Sequence, residues 1–122
     1  MKMAYKEEGK WWVSPANYLP EVTKNYHFPE HIEILDTTLR DGEQEPGIIF
    51  TREDKVASAK RLDAAGVHRI EAGCPMTSEE DAAAIKEICA LGLKAKIYCF
   101  VRGVMSDMDV AKACGVDGVV IE

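Results

Sequence analysis

The sequence predicts an α/β fold: the N-terminal half of a (β/α)8 TIM barrel, with parallel strands alternating with helices behind an irregular N-terminal arm. Three observations carry that expectation. Short apolar runs recur about every 25–30 residues, each followed by a segment with helical periodicity. Each helical segment opens on a hydroxyl residue and closes on a glycine: Thr51 to Gly66, Ser78 to Gly92 and Ser106 to Gly115. No Gly-x-Gly-x-x-Gly phosphate loop interrupts the repeat, which favours a barrel over an open dinucleotide-binding sheet.

Residues 1–30 differ from the rest. Trp11, Trp12, Tyr18, Tyr26 and Phe28 crowd among Pro15, Pro20 and Pro29 without helical or strand period. Such a stretch is too aromatic for a disordered tail and is expected to be an arm that covers the base of the domain or shares a subunit interface. Residues 31–122 then carry four strands and three helices. Ile32–Leu35 reads as the first strand, followed by His68–Gly73, Lys94–Val101 and Gly118–Glu122.

The helix boundaries follow from end chemistry. A hydroxyl at the N-cap accepts a hydrogen bond from an orphan backbone N–H, and an early carboxylate suits the positive end of the helix dipole. Asp54, Asp81 and Asp109 stand three residues after the three hydroxyls, which makes imperfect capping boxes with Asp where Glu or Gln is usual. Glycine suits the left-handed turn at the other end. Val56, Ala59 and Leu62 line one face of the first helix; Ala82, Ile85, Ile88 or Cys89, and Leu91 line one face of the second. Strand, helix, strand in this rhythm means parallel pairing. A whole barrel takes about 250 residues, so the 122 here are expected to be the first part of a longer chain.

Composition narrows the function classes. A hydrophobic fraction of 47% supports one real core. The net charge of −6, with no basic block, would repel phosphate backbones and anionic lipid, so neither nucleic acid nor a membrane surface is expected as partner. No secretory leader and no apolar run of roughly 20 residues is present, which predicts a cytoplasmic protein. Cys74, Cys89, Cys99 and Cys114 are scattered and read as free thiols of a reducing compartment.

In such a fold the active site lies at the carboxyl ends of the strands. There the sequence puts Asp36-Thr37-Thr38-Leu39-Arg40-Asp41-Gly42-Glu43-Gln44 after the first strand, Glu71 in the second and Arg102 after the third. One cation among carboxylates and amides suits a divalent metal with a carbonyl ligand, and a guanidinium can stabilise an enolate. Taken alone, Arg40-Asp41-Gly42 would be no more than a surface ion pair at a turn.

The longer string says more. Leu39-Arg40-Asp41-Gly42-Glu43-Gln44, followed after ten residues by Lys55, resembles the signature of the isopropylmalate, homocitrate and citramalate synthases. These are metallolyase-type TIM barrels related to hydroxymethylglutaryl-CoA lyase. Ile70-Glu71-Ala72-Gly73 is similar to their second-strand motif. The resemblance implies that Asp41 ligates a catalytic divalent metal (magnesium, manganese or zinc) and that Arg40 polarises a carbonyl oxygen and stabilises the enolate. Glu71 would hold the arginine or take part in proton transfer, and Gln44 would shape the substrate site. Arg102 would bind a substrate carboxylate, a structural salt bridge being the alternative. Lys55 belongs to the signature but sits in a helix, where a structural part is expected.

One departure stands out. The family also supplies a His-x-His pair from a late strand, and His27, His31 and His68 are not so spaced; all three read as structural or solvent-exposed. These residues therefore hold half of such a site. The activity implied is an acyltransferase: a metal-assisted Claisen condensation of an acyl-CoA with a 2-oxo acid, in a homo-oligomer. The alternatives are a carbon–carbon lyase of the same family and a non-catalytic half-barrel module for binding or oligomerisation.

Overall fold

The computed structural model describes residues 6–8 and 11–122. Residues 1–5 and 9–10 of the expected arm lie outside the described residues. Contacts divide the chain between Ile32 and Glu33 into two units. In the first, β1 (Lys6–Glu7) pairs antiparallel with β2 (Trp11–Trp12), and a 3-10 turn (Pro15–Tyr18) leads into the single-turn helix α1 (Pro20–Thr23). Tyr26 and Phe28 meet edge to face at 5.4 Å. The arm was expected to be irregular throughout; two-residue strands and four-residue helices are too short to print a period on the sequence.

The second unit alternates strand and helix. Its elements are β3 (Leu35–Asp36), a 3-10 turn (Gly42–Gln44), α2 (Arg52–Ala65), β4 (Arg69–Glu71), α3 (Glu79–Ala90), β5 (Lys96–Val101), α4 (Met105–Cys114) and β6 (Gly118–Ile121). The strands are parallel and lie in the order β3-β4-β5-β6, the sequential order of a barrel wall. The first strand is shifted from the expected Ile32–Leu35. β3 has a single neighbour, β4, and pairing starts only at the Ile34 carbonyl, which accepts the N–H groups of His68 and Arg69. Ile32 stays outside the ladder.

Alternation along β5 decides the two faces of the sheet. Ile97, Cys99 and Val101 are buried, while Tyr98 and Phe100 between them are half-buried. The buried set joins Ile70 of β4, Val56 and Ala59 of α2, Ile85 and Ile88 of α3, and Ala111 and Cys114 of α4 in one core. Glu71 is in register with Tyr98, and Tyr98 with Gly118, so these belong to the face turned away from the helices. A Cβ at position 118 would run into the Tyr98 ring, which is why glycine stands there.

Helix ends agree with the sequence at two of three starts. Thr51 Oγ1 accepts the Asp54 N–H at 3.1 Å, and the Asp54 carboxylate accepts the Thr51 N–H at 3.1 Å. This box, expected to be imperfect, is complete with aspartate. Ser78 Oγ accepts the Asp81 N–H at 3.0 Å, but the Asp81 carboxylate turns elsewhere. α4 departs from expectation: its N-cap is Val104, with no side-chain cap, and Ser106 lies inside the helix. Asp107, rather than Asp109, folds back toward the preceding loop and is buried. Gly66 and Gly115 end α2 and α4 with φ of 87° and 82°.

Candidate functional site

The loop after β3 is wound tightly. The Thr37 carbonyl accepts from the N–H groups of Arg40 (3.1 Å) and Asp41 (2.8 Å), and the Asp36 carboxylate accepts from the Thr38 N–H and hydroxyl at 3.0 and 3.2 Å. This turn sends Leu39 fully into the core. Its neighbour Arg40 reaches the C-terminal residue of β4. Arg40 Nε and Nη2 donate to the two carboxylate oxygens of Glu71 at 2.9 and 3.1 Å.

The pair is physically demanding. Glu71 is fully buried, and a buried carboxylate is tolerated only when paired and hydrogen-bonded. A two-toothed guanidinium meets both conditions. Arg40 also lies over the Phe100 ring of β5, 5.1 Å from its centroid. Hydrogen bonding to Glu71 raises the arginine's pKa above its ordinary value, with burial opposing. A third donor, Nη1, reaches Asp41 Oδ1 at 3.0 Å. A guanidinium has five N–H donors, so these three bonds leave two of them for a ligand.

The other expected residues fall at the same strand ends. The Asp41 side chain is 63% exposed. Gln44 donates its backbone N–H to the Asp41 carbonyl at 3.1 Å and lines a cleft of about 470 Å³, together with Arg40, Glu43, Lys55, Cys74 and Phe100. Arg102 is not among the lining residues. Its Nε and Nη2 donate to the Asp107 carboxylate at 2.8 Å each, and its backbone N–H donates to Asp107 Oδ2 at 3.2 Å. The structural salt bridge named above as its alternative is thus formed, although the Arg102 side chain remains 64% exposed. His68, at the foot of β4, accepts the Ile34 N–H on Nδ1.

Lys55 is where sequence reasoning said too little. It is buried in the wall of the cleft between Glu43 and Asp81. The signal was available: Lys55, Ala59 and Leu62 follow i, i+4, i+7, which puts the lysine on the core-facing stripe of α2. A lysine on such a stripe demands carboxylate partners.

Asp41 keeps a carboxylate oxygen not used by Arg40, a donor of the hard type that magnesium or manganese prefers. Among the described residues, however, no three His, Cys, Asp or Glu side chains are grouped to hold a metal ion. One carboxylate does not make a tight site, so the donor set of this chain does not by itself fit the metal.

Residues 31–122 match the model of the HMGL-like family. The chain belongs to that family. It is 43% identical over 111 residues to homocitrate synthase AksA of Methanothermobacter thermautotrophicus, covering 91% of this chain and 27% of that one. It is 44% identical over 113 residues to 2-isopropylmalate synthase of Methanocaldococcus jannaschii, covering 93% and 20% respectively. With homocitrate synthase 1 of a Nostoc strain the identity is 51% over 86 residues, 70% of this chain and 23% of the relative. The chain thus spans between a fifth and just over a quarter of the length of these relatives. All three are synthases, and they support membership of a synthase-type enzyme family. Among the described residues no helix is long and apolar enough to cross a membrane.

Proposed function

We propose that the complete protein is an acyltransferase that joins an acyl-CoA to a 2-oxo acid by Claisen condensation. The acyl-CoA loses a proton from its α-carbon to a base. The resulting carbanion attacks the keto carbon, the new alkoxide takes up a proton, and water cleaves the thioester to release CoA and a 2-hydroxy dicarboxylic or tricarboxylic acid. Negative charge gathers on oxygen at each of the first steps, and a fixed cation aimed at that oxygen lowers the barrier.

The observation that carries this reading is the Arg40–Glu71 pair. Its guanidinium is held by three carboxylate oxygens and a ring, with two donors left over, so it needs no reorganisation when charge develops. Both Glu71 oxygens are occupied by Arg40, which favours the holding role for Glu71 over proton transfer. Gln44 would shape the substrate side of the cleft. Asp41 would give one carboxylate to a divalent metal (magnesium, manganese or zinc), whose donor set the described residues do not complete. Arg102, with its exposed guanidinium already held by Asp107, would meet a substrate carboxylate. The reading carries with it a cytoplasmic homo-oligomer with no nucleic-acid partner, in keeping with the net charge of −6.

The test is Arg40→Lys in the complete natural chain, assayed as free CoA thiol released in the presence of a 2-oxo acid. Lysine keeps the charge but loses the two-toothed fork, and turnover should fall by about 10²-fold or more. Near-normal turnover would sink the reading. Release of acetyl-CoA from a hydroxyacyl-CoA without 2-oxo acid would assign the lyase reaction instead.

A further inference from the structure

We propose that Lys55 is a positioning residue for this site: its ammonium clamps the loop that carries Arg40, Asp41 and Gln44 to the loop that follows Glu71. The inference rests on the reading of the site given above. Lys55 Nζ lies 2.6 Å from Glu43 Oε2 and also contacts Asp81 Oδ1, with only 3% of the side chain exposed. An ammonium so enclosed needs both facing carboxylates to offset its lost hydration.

Each carboxylate uses its second oxygen to hold backbone. Glu43 Oε1 accepts the Phe50 N–H at 3.2 Å, at the far end of the loop that begins with Arg40. Asp81 Oδ2 accepts the Cys74 N–H at 2.7 Å, three residues beyond Glu71. Gly73 makes the second contact possible. A Cβ there would stand 2.7 Å from both Asp81 oxygens, and its φ of +151° is one that L side chains rarely adopt. The Arg40–Glu71 pair by itself would let one loop pivot on the other. A second tie, through Glu43, Lys55 and Asp81, removes that freedom and sets the angle at which Arg40 and Asp41 face the cleft.

The measurement compares Lys55→Met, which keeps the stem and deletes the charge, with Lys55→Arg in the complete natural chain. Lys55→Met should lower kcat by about 10–100-fold, because a displacement of ~1 Å at the reacting groups is felt on that scale. KM for both substrates should move less than about threefold, and Lys55→Arg should recover part of kcat. A second readout needs no turnover: Cys74, on the clamped loop and in the cleft wall, should react faster with iodoacetamide in Lys55→Met, scored by peptide mass. Burial raises the thiol pKa of Cys114, that of Cys89 to about 11 and that of Cys99 to about 12, so near neutral pH these three label slowly.

A lower Tm with kcat and Cys74 labelling unchanged would overturn the clamp and leave Lys55 as a plain stability residue. Should Lys55→Met fail to fold, Asp81→Asn, which keeps an oxygen for the Cys74 N–H, must give the same pair of effects, and its failure to do so overturns the proposal equally. If the wild-type chain shows no condensation at all, the function assigned above is wrong, while the labelling comparison still decides the clamp.

Discussion

Among the described residues, two arginines that follow the carboxyl ends of strands each grip a buried carboxylate with two teeth. Arg40 bonds Glu71 across 31 residues of sequence, joining the loop after β3 to the last residue of β4. Arg102 bonds Asp107 across five, within one loop and the helix it leads into. Arg40 is 20% exposed and lies over Phe100; Arg102 is 64% exposed. The chemistry of the two pairs is the same, and the sequence distance between partners differs. A local pair fastens its own loop. A distant pair ties the loop after β3 to the end of β4 and keeps its cation in the wall of the cleft.

The largest effect should come from breaking the distant pair. Arg40→Ala strands the Glu71 carboxylate in the core, which costs on the order of 3–5 kcal/mol, and turnover should vanish with it. Urea unfolding and a CoA-release assay measure the two losses on one preparation. Glu71→Gln, which removes the fully buried charge and leaves the partly exposed guanidinium beside Asp41, should cost less stability while still loosening Arg40. If the two variants destabilise equally, the burial argument fails. Next in size is Gly73→Ala, expected to cost about 1–3 kcal/mol. The methyl meets an Asp81 carboxylate that cannot swing aside without leaving Lys55 and the Cys74 N–H. A thermal shift no larger than that of Gly47→Ala, where the φ is +89° but nothing lies within 4 Å, would show that backbone strain alone acts at position 73.

The same contrast between local and distant contacts explains what could be read from the amino acids. Arg40, Asp41, Gln44 and Glu71 were placed at one mouth from sequence because strand ends in a parallel repeat converge by construction. The capping residues Thr51 and Ser78 were legible because a cap is settled within three residues. The inward face of Lys55 is legible in the α2 stripe, but its partners Glu43 and Asp81 are not, since they depend on how the loop before α2 and the start of α3 lie against that helix, which no local pattern encodes. β3 was placed about three residues early for a related reason: Ile32 and Ile34 have the composition of a strand, but the ladder runs only where β4 is opposite. At the start of α4 two aspartates compete for one role. Asp109 has the capping spacing from Ser106, yet Asp107 wins because Arg102 offers it two charged donors and a backbone N–H together.

That local pair sets the smallest effect, and it is one of pH. Hydrogen bonding to Arg102 holds the Asp107 carboxyl below its ordinary value of 3.8 in the folded chain, against the opposing effect of burial. A carboxylate with a lowered folded pKa binds fewer protons when folded than when unfolded. Its contribution to stability is therefore complete at pH well above the ordinary carboxylate range and disappears as pH falls through the lowered folded value. Asp54, lowered by its bonds to Thr51 in the α2 capping box, acts in the same direction. Denaturant midpoints should accordingly fall as pH drops below about 4. Arg102→Ala should flatten that fall by the Asp107 share and leave the Asp54 share in place, whereas Thr51→Ala should do the reverse. Because the Arg102 side chain is largely exposed, solvent screens the pair. Its removal should lower the neutral-pH midpoint far less than Arg40→Ala does, and equal losses would mean that sequence distance is the wrong measure of what separates the two arginines.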